Sequence, residues 1–197
     1  MPQDSTRRLA MRRILRHIVY IYPRMHLTAR QNCIRFYYSY CSDLSDGSTV
    51  VDFGSYSVNG SVRDIFEPHM KYVGIDMNAG PNVDVVCTNR NTPFDSKSVD
   101  AVVSTSCFEH DSCFWMTFLE MCRIVRPGGL IYINAPSSGP YHGFPGDCWR
   151  FYKDSWKALE KWGIENKYSI KLVETYIDER PDIDGWHDSV GIFKLGT

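Results

Sequence analysis

Asp52, Gly54, Gly60 and Asp76 are the residues of this chain whose types and spacing most directly imply chemistry. They sit in TVVDFGSYSVNGSVRD, residues 49–64, and YVGIDMNAG, residues 72–80. One apolar run ends in an acid and a glycine-containing turn. A second ends in another acid, 22 positions after Gly54. Glycine lets the backbone approach a ligand closely. An acid at that spacing is where a nucleotide-binding βαβ unit pairs with two ribose hydroxyls. The ligand implied is an adenosine-containing cofactor.

A dinucleotide needs G-x-G-x-x-G and a helix N-terminus facing a pyrophosphate. Here Ser-Tyr-Ser-Val-Asn separates Gly54 from Gly60, and Asp52 puts a carboxylate near the place a diphosphate would occupy. A carboxylate there suits a cofactor with no phosphate and with cationic groups, which describes S-adenosylmethionine. The plainer alternative is a strand–turn–helix with Asp52 as a turn former.

Further chemistry lies downstream. Two of the six histidines, His110 and His142, follow the ends of apolar runs. Residues 136–150 form a long polar insertion that gathers Tyr141, His142, Phe144, Asp147, Trp149 and Arg150. Aromatic platforms beside hydroxyl-binding groups are what a sugar site needs. A sugar hydroxyl is a weak nucleophile, and a base within hydrogen-bond reach must take its proton as a methyl group arrives. Histidine suits that task because its pKa lies near the operating pH. His142 is the first candidate, His110 the second and Asp147 the next. Tyr141, Trp149 and Arg150 are expected to bind the acceptor, with Trp186, His187 and Asp188 as the opposite wall. The plainer alternative has Arg150 pairing with Asp147 and Trp149 filling the core. Glu109, His110, Asp111 and Asp147 could together hold a divalent cation. Nothing fixes a ligand count, so no metal is expected.

The elements that position these residues alternate. Helices are expected at 5–22 and 26–41. Strands follow at 49–53, 72–76, 83–87, 100–104 and 130–135, with helices at 59–67 and 111–125 and a turn at RPGG, 126–129. A helix at 153–162 has Asp154 as its cap and Gly163 as its terminator. Strands 172–176 and 189–195 have no helix between them and should form an antiparallel hairpin at the sheet edge.

With 197 residues, 43% of them apolar, the chain is long enough for one domain with a sizeable core. The net charge of −1 gives no general pull towards nucleic acid or membrane. Residues 1–48 nevertheless hold eight Arg and no Lys against three Asp, a balance of +5. An Arg-rich helix face there is expected to be solvated rather than to dock an anionic partner. Seven cysteines without a C-x-x-C pair read as reduced thiols of a cytoplasmic protein. No run has the length of a transmembrane helix.

From 49 to 197 the succession resembles the class I S-adenosylmethionine-dependent methyltransferases. It is similar, more narrowly, to small O-methyltransferases encoded with surface-polysaccharide and glycan biosynthesis genes. The residues that carry the likeness are DFGSYSVNGSVRD, YVGIDMNAGPNVD, TSCFEHDSCFW, RPGG, APSSGPYHGFPGDCWRFYKDSW and WHDSVGIF. The resemblance implies an α/β fold, a Rossmann-like seven-stranded, mostly parallel sheet with an antiparallel last strand and helices on both faces. It implies a methyltransferase domain at 49–197; the basic, aromatic helical segment expected at 1–48 lies outside the likeness. Asp52, Gly54 and Gly60 would line the methionine end of S-adenosyl-L-methionine, Asp76 would hold the ribose hydroxyls, and Met77 would lie against the adenine. Thr88 and Asn89 occupy the loop that reaches the adenine amino group, where relatives often carry an acid. Ser106 and Cys107 would meet the amino acid part through backbone groups. The first turn departs from the commoner G-x-G-x-G, which places Tyr56 over the cofactor. The acceptor implied is a sugar or glycan hydroxyl. Nucleic-acid amino-methyltransferases typically show Asn/Asp-Pro-Pro-aromatic after the fourth strand; this chain has SCFEH. A protein methyltransferase, or a cofactor-binding domain without catalysis, would share the cofactor motifs.

Overall fold

The computed structural model describes residues 27–67, 69–143, 145–180 and 185–197. The helix expected at 5–22, with its arginine face, lies outside the described residues. The first described element is helix α1 (Leu27–Phe36), continued by one π-helical turn, Tyr37–Cys41. The sheet strands are β1 (Thr49–Phe53), β2 (Lys71–Asp76), β3 (Val85–Val86), β4 (Val99–Thr105), β5 (Val125–Ser138), β6 (Ile170–Ile177) and β7 (His187–Leu195). Helices α2 (Arg63–Phe66), α3 (Phe114–Ile124) and α4 (Lys153–Glu165) connect them.

The seven strands form one sheet in the order β3-β2-β1-β4-β5-β7-β6. Contacts among β1 to β5 are parallel. β7 runs antiparallel to both β5 and β6, so the last strand alone is reversed. Central strands buried on both faces read as continuous apolar runs, as TVVDF and LIYINA do. Alternate residues feed opposite cores. Val51, Ile131 and Ile133 pack with Phe118 of α3 and Trp156 of α4. Val50 and Tyr132 pack with Cys33 and Phe36 of α1 and Phe66 of α2. Helices therefore cover both faces. Helix α1 is part of that packing: the Phe36 ring stacks on Tyr132 at 4.8 Å. Arg30 is buried and ion-pairs with Asp64 at 2.6 Å, tying α1 to α2.

Several local expectations need correction. The first crossover helix is four residues, not 59–67. Gly60 has a φ of +146°, which no helix admits, and Glu67 is extended as a residue before proline must be. RPGG is not a separate turn before a new strand. It loops out within β5, where Val99 pairs with Val125 but Ala101 pairs with Leu130. Asp154 does not cap α4; it pairs with Lys157 at 2.8 Å, while the Tyr152 N–H donates to Ser155 Oγ at 3.1 Å. Gly163 lies inside α4 and is buried. A Cβ there would come within 2.8 Å of Ile170 Cγ2, so the glycine admits β6 rather than ending the helix. All seven cysteines are free thiols. Among the described residues, no helix is long and apolar enough to cross a membrane.

Candidate active site

Strand order reverses between β1 and β4, and in open α/β sheets ligands lie outside the carboxyl ends of the strands at that point. A cleft of about 460 Å³ opens there, lined by Gly54, Tyr56, Asp76, Met77, Asn89, Ser106, Cys107 and His110. A neighbouring pocket of about 180 Å³ shares Gly54, Tyr56, Ser106 and His110 with it and adds Asp52, Gly60, Thr105 and His142.

The β1 turn builds the floor. Gly54 has a φ of +77°, and a Cβ there would come within 2.6 Å of Cys107 Cβ. Glycine is needed on both counts. The N–H groups of Gly54 and Ser55 both donate to the Ile75 carbonyl at 3.0 Å, folding the turn back onto β2. The Tyr56 ring packs against Gly80, where a Cβ would meet ring carbon Cδ2 at 2.7 Å. Asp52 is buried and accepts a hydrogen bond from the Tyr72 hydroxyl. Burial pushes its carboxyl up to about 7, against the opposing pull of that bond and of Arg63.

At the other end, Asp76 accepts the Asn78 N–H at 2.8 Å and the Tyr56 N–H at 3.4 Å, so its carboxylate is held at the cleft wall. Met77 presents an exposed apolar face beside it. Asn89 lines the cleft, and its buried Oδ1 has no hydrogen-bond partner. Thr88 is not among the cleft residues; it forms an isolated antiparallel bridge with Asn91. Ser106 takes a left-handed φ of +52° at the end of β4, a conformation rare for serine that turns the chain across the cleft. Burial pushes the Cys107 thiol well up, so it is a neutral packing group against Gly54.

This donor set fits S-adenosylmethionine. Asn89 Oδ1 and the buried Thr105 Oγ1 are lining-residue atoms without partners, Asp52 is a buried acid that a cationic ligand would ionise, and Asp76 offers a carboxylate to the cleft.

His110 and His142, 32 positions apart, meet at the mouth with ring centroids 4.9 Å apart and planes at 73°. The contact exists because the 139–150 loop is stapled onto 107–111. The N–H groups of Cys148 and Trp149 donate to the Glu109 carbonyl at 2.7 and 3.3 Å. Trp149 Nε1 donates to the Asp111 carbonyl at 3.0 Å, and His110 Nδ1 bonds the Gly146 carbonyl. A carbonyl only accepts, so His110 carries its proton on Nδ1. His142 Nδ1 lies 3.1 Å from Asp147 Oδ2, which fixes the same tautomer. Burial lowers the His142 pKa below its usual value, ahead of the raising effect of Asp147.

Asp147 is fully occupied. Its oxygens accept from Arg150 at 2.7 Å and from the His142 N–H at 2.9 Å, and the Arg150 hydrogen bonds hold its pKa below the usual carboxylate range. That makes it an anchor for His142 and a poor proton acceptor. Arg150 is spent on Asp147 and on the carbonyls of Pro140 and Trp149. Trp149 does not fill the core; it is 38% exposed, edge-on to Phe114 and Trp115. Tyr141 is 80% exposed. Trp186 is almost buried, packing on Gly139 and edge-on to His142 at 4.7 Å, so it supports the imidazole from behind. Asp188 is not at the mouth: it is buried and accepts the Thr28 hydroxyl at 2.8 Å. His187 Nδ1 is engaged with the Asp178 carbonyl.

Sequence reasoning missed Asn82 and Thr105. Asn82, in the left-handed region, donates to the Ser55 carbonyl and the Tyr72 hydroxyl and so braces the β1 turn. The A-G-P-N run was its signal as turn chemistry. Glu109 is 1% exposed, and burial pushes its carboxyl up to about 8.

A family model described as a methyltransferase domain matches residues 55–133. No curated protein matches the sequence. Among solved structures, the chain is similar to Burkholderia thailandensis 1,6-didemethyltoxoflavin-N1-methyltransferase, crystallised with 1,6-didemethyltoxoflavin and S-adenosylhomocysteine. The TM-score is 0.64 at 16% identity, covering 86% of this chain and 79% of that one. It is similar also to Haemonchus contortus phosphoethanolamine N-methyltransferase 2, with a TM-score of 0.58 at 13% identity, covering 84% and 52%. A third is the 4+2 cyclase SpnF, with a TM-score of 0.66 at 9% identity, covering 84% and 80%. Residues 55–133 thus match a methyltransferase domain, and the solved neighbours share the fold that holds it. The neighbours' substrates differ widely, and the acceptor has to be argued from this chain's own residues.

Proposed function

We propose that this protein transfers a methyl group from S-adenosyl-L-methionine to a hydroxyl of a sugar or glycan. The observation that carries the reading is the imidazole pair His110–His142 at the cleft mouth, with Tyr141 and Trp149 exposed in the loop that carries His142. When bound, the cofactor supplies an electrophilic methyl on a sulfonium sulfur. Asp52, Gly54, Gly60, Ser106 and Cys107 would hold its methionine end, and Tyr56, Asp76, Met77 and Asn89 its adenosine end. Methyl transfer is an in-line displacement, so alignment of the two reactants is the protein's main task. Tyr141 and Trp149 offer flat faces on which a sugar ring stacks. His110 and His142 present unprotonated Nε2 atoms to a hydroxyl placed there. Arg150, Asp147 and Trp186 keep the His142 ring fixed. The acid Asp76, with a spacing and placement for ribose hydroxyls, sets the cofactor's direction so that the reacting end points at the imidazoles.

The test is turnover of methyl-labelled cofactor against panels of sugars and glycans, with RNA and peptides alongside, run with and without added divalent cation. Label transferred to a carbohydrate oxygen supports the proposal. Label transferred only to RNA or peptide refutes it.

A further inference from the structure

We propose that Glu109, His110 and His142 form a binding site for one divalent transition-metal ion of the zinc type, beside the methyl-transfer position. One ligand atom from each of the three lies within 4.8 Å of the others. Two imidazoles and one carboxylate are the donor set of open catalytic zinc sites, which keep a position for water or substrate. Tetrahedral ligands at ordinary zinc distances stand about 3.4 Å apart.

Three independent features point to a cation. The first is orientation. Metal-bound histidines almost always donate their other ring N–H to a carbonyl or carboxylate. His110 Nδ1 is held by the Gly146 carbonyl, and His142 Nδ1 by Asp147 at 3.1 Å, which Arg150 anchors in turn. Both rings thus present a lone pair at Nε2. The second is the state of Glu109. It is 1% exposed, and its Oε2 has no hydrogen-bond partner. A buried, unsatisfied carboxyl is costly unless it meets a charge. Its Oε1 lies 3.7 Å from His110 Nε2, too far for a hydrogen bond. The third is position. His110 lines both the cleft and its neighbouring pocket, and His142 lines the pocket. Two further acids near the mouth are already engaged: Asp111 by Arg90, Thr117 and the Cys113 N–H, and Asp147 by Arg150.

The site's use rests on the proposed hydroxyl methylation, with the two imidazoles then acting through the ion in place of taking the proton themselves. A hydroxyl that enters the open position becomes more acidic, as metal-bound water does. Its proton leaves to water, the O–CH₃ bond forms, the S–CH₃ bond breaks, and the sulfur keeps the electron pair. No redox partner is needed.

The test uses the full chain stripped with chelator. Zn²⁺ and Co²⁺ are titrated by calorimetry, with Mg²⁺ as a control, and Co²⁺ is followed by its visible ligand-field spectrum. One equivalent per chain is expected, with Mg²⁺ far weaker because nitrogen donors suit transition ions. Glu109→Gln and His142→Ala should each weaken Zn²⁺ binding more than about 100-fold. Asp147→Asn should weaken it about 10–100-fold, the usual worth of an outer-shell partner. Cofactor affinity, measured in the same samples, shows that each variant is folded. Absence of stoichiometric binding, or binding unchanged in Glu109→Gln and His142→Ala, overturns the site. Full methylation by stripped enzyme overturns its catalytic use. Variant-sensitive binding with no carbohydrate methylated would leave the site standing and count against the proposed acceptor instead.

Discussion

Gly54→Ala probes the turn on which the cofactor reading depends. Two penalties can be worked out separately. Gly54 has a φ of +77°, where a Cβ crowds its own backbone, and the left-handed conformation costs a non-glycine residue roughly 1–2 kcal/mol. The new methyl also falls 2.6 Å from Cys107 Cβ, far inside van der Waals contact. Overpacking a buried contact costs roughly 1–3 kcal/mol. The sum, roughly 2–5 kcal/mol, is a large part of the stability of an ordinary domain. Urea unfolding with linear extrapolation measures it. The two parts come apart in a double-mutant cycle with Cys107→Gly, which removes the atoms that the methyl strikes. A coupling of about 1–3 kcal/mol is expected, and the backbone penalty should persist in the double variant. Calorimetry should also show cofactor affinity falling in Gly54→Ala, because relieving the clash moves Cys107 across the cleft. A variant within about 0.5 kcal/mol of the parent, or a cycle with no coupling, would refute the reasoning.

Asp76→Ala should weaken cofactor binding by roughly 1–3 kcal/mol, as for a lost charged hydrogen-bond acceptor, with unfolding unchanged; calorimetry decides. Asp52 has a folded pKa raised to about 7 by burial. Its stabilising contribution is therefore full below the ordinary carboxyl range and is lost as pH rises towards 7. Asp52→Asn should flatten that decline in urea midpoints and should abolish a rise in cofactor affinity through the same window. Tyr141→Ala, at an 80% exposed position, should raise the acceptor KM while leaving cofactor affinity and stability within about 0.5 kcal/mol of the parent. Arg150→Ala leaves the almost fully buried Asp147 carboxylate with His142 alone and should cost roughly 1–3 kcal/mol, with a restored midpoint in Arg150→Ala/Asp147→Asn as the check.

Much of the fold was legible locally. Strand β1 runs over 49–53 as its apolar run predicts, and β2, β4 and the reversed closing strand follow from the same kind of signal. Glycines and acids at the strand ends marked the cofactor cleft because backbone approach and hydroxyl pairing demand those residue types at nearly fixed spacing. The loop-out at RPGG and the role of Gly163 were not legible. Each depends on what distant chain it meets: Asp100 or Ile170. The acceptor side divides in the same way. Its residue types were visible in 136–150, but their roles were decided only by the staple of that loop onto 107–111. That staple turned Asp147 and Arg150 into anchors, left Trp149 partly exposed and brought Glu109 beside two imidazoles, while the packing of α1 on β7 took Asp188 into the interior. Periodicity and turn chemistry act within a few residues of one another, so sequence shows them. Which carboxylate ends buried, paired or facing an imidazole is set by long-range packing, and only the tertiary structure fixes it.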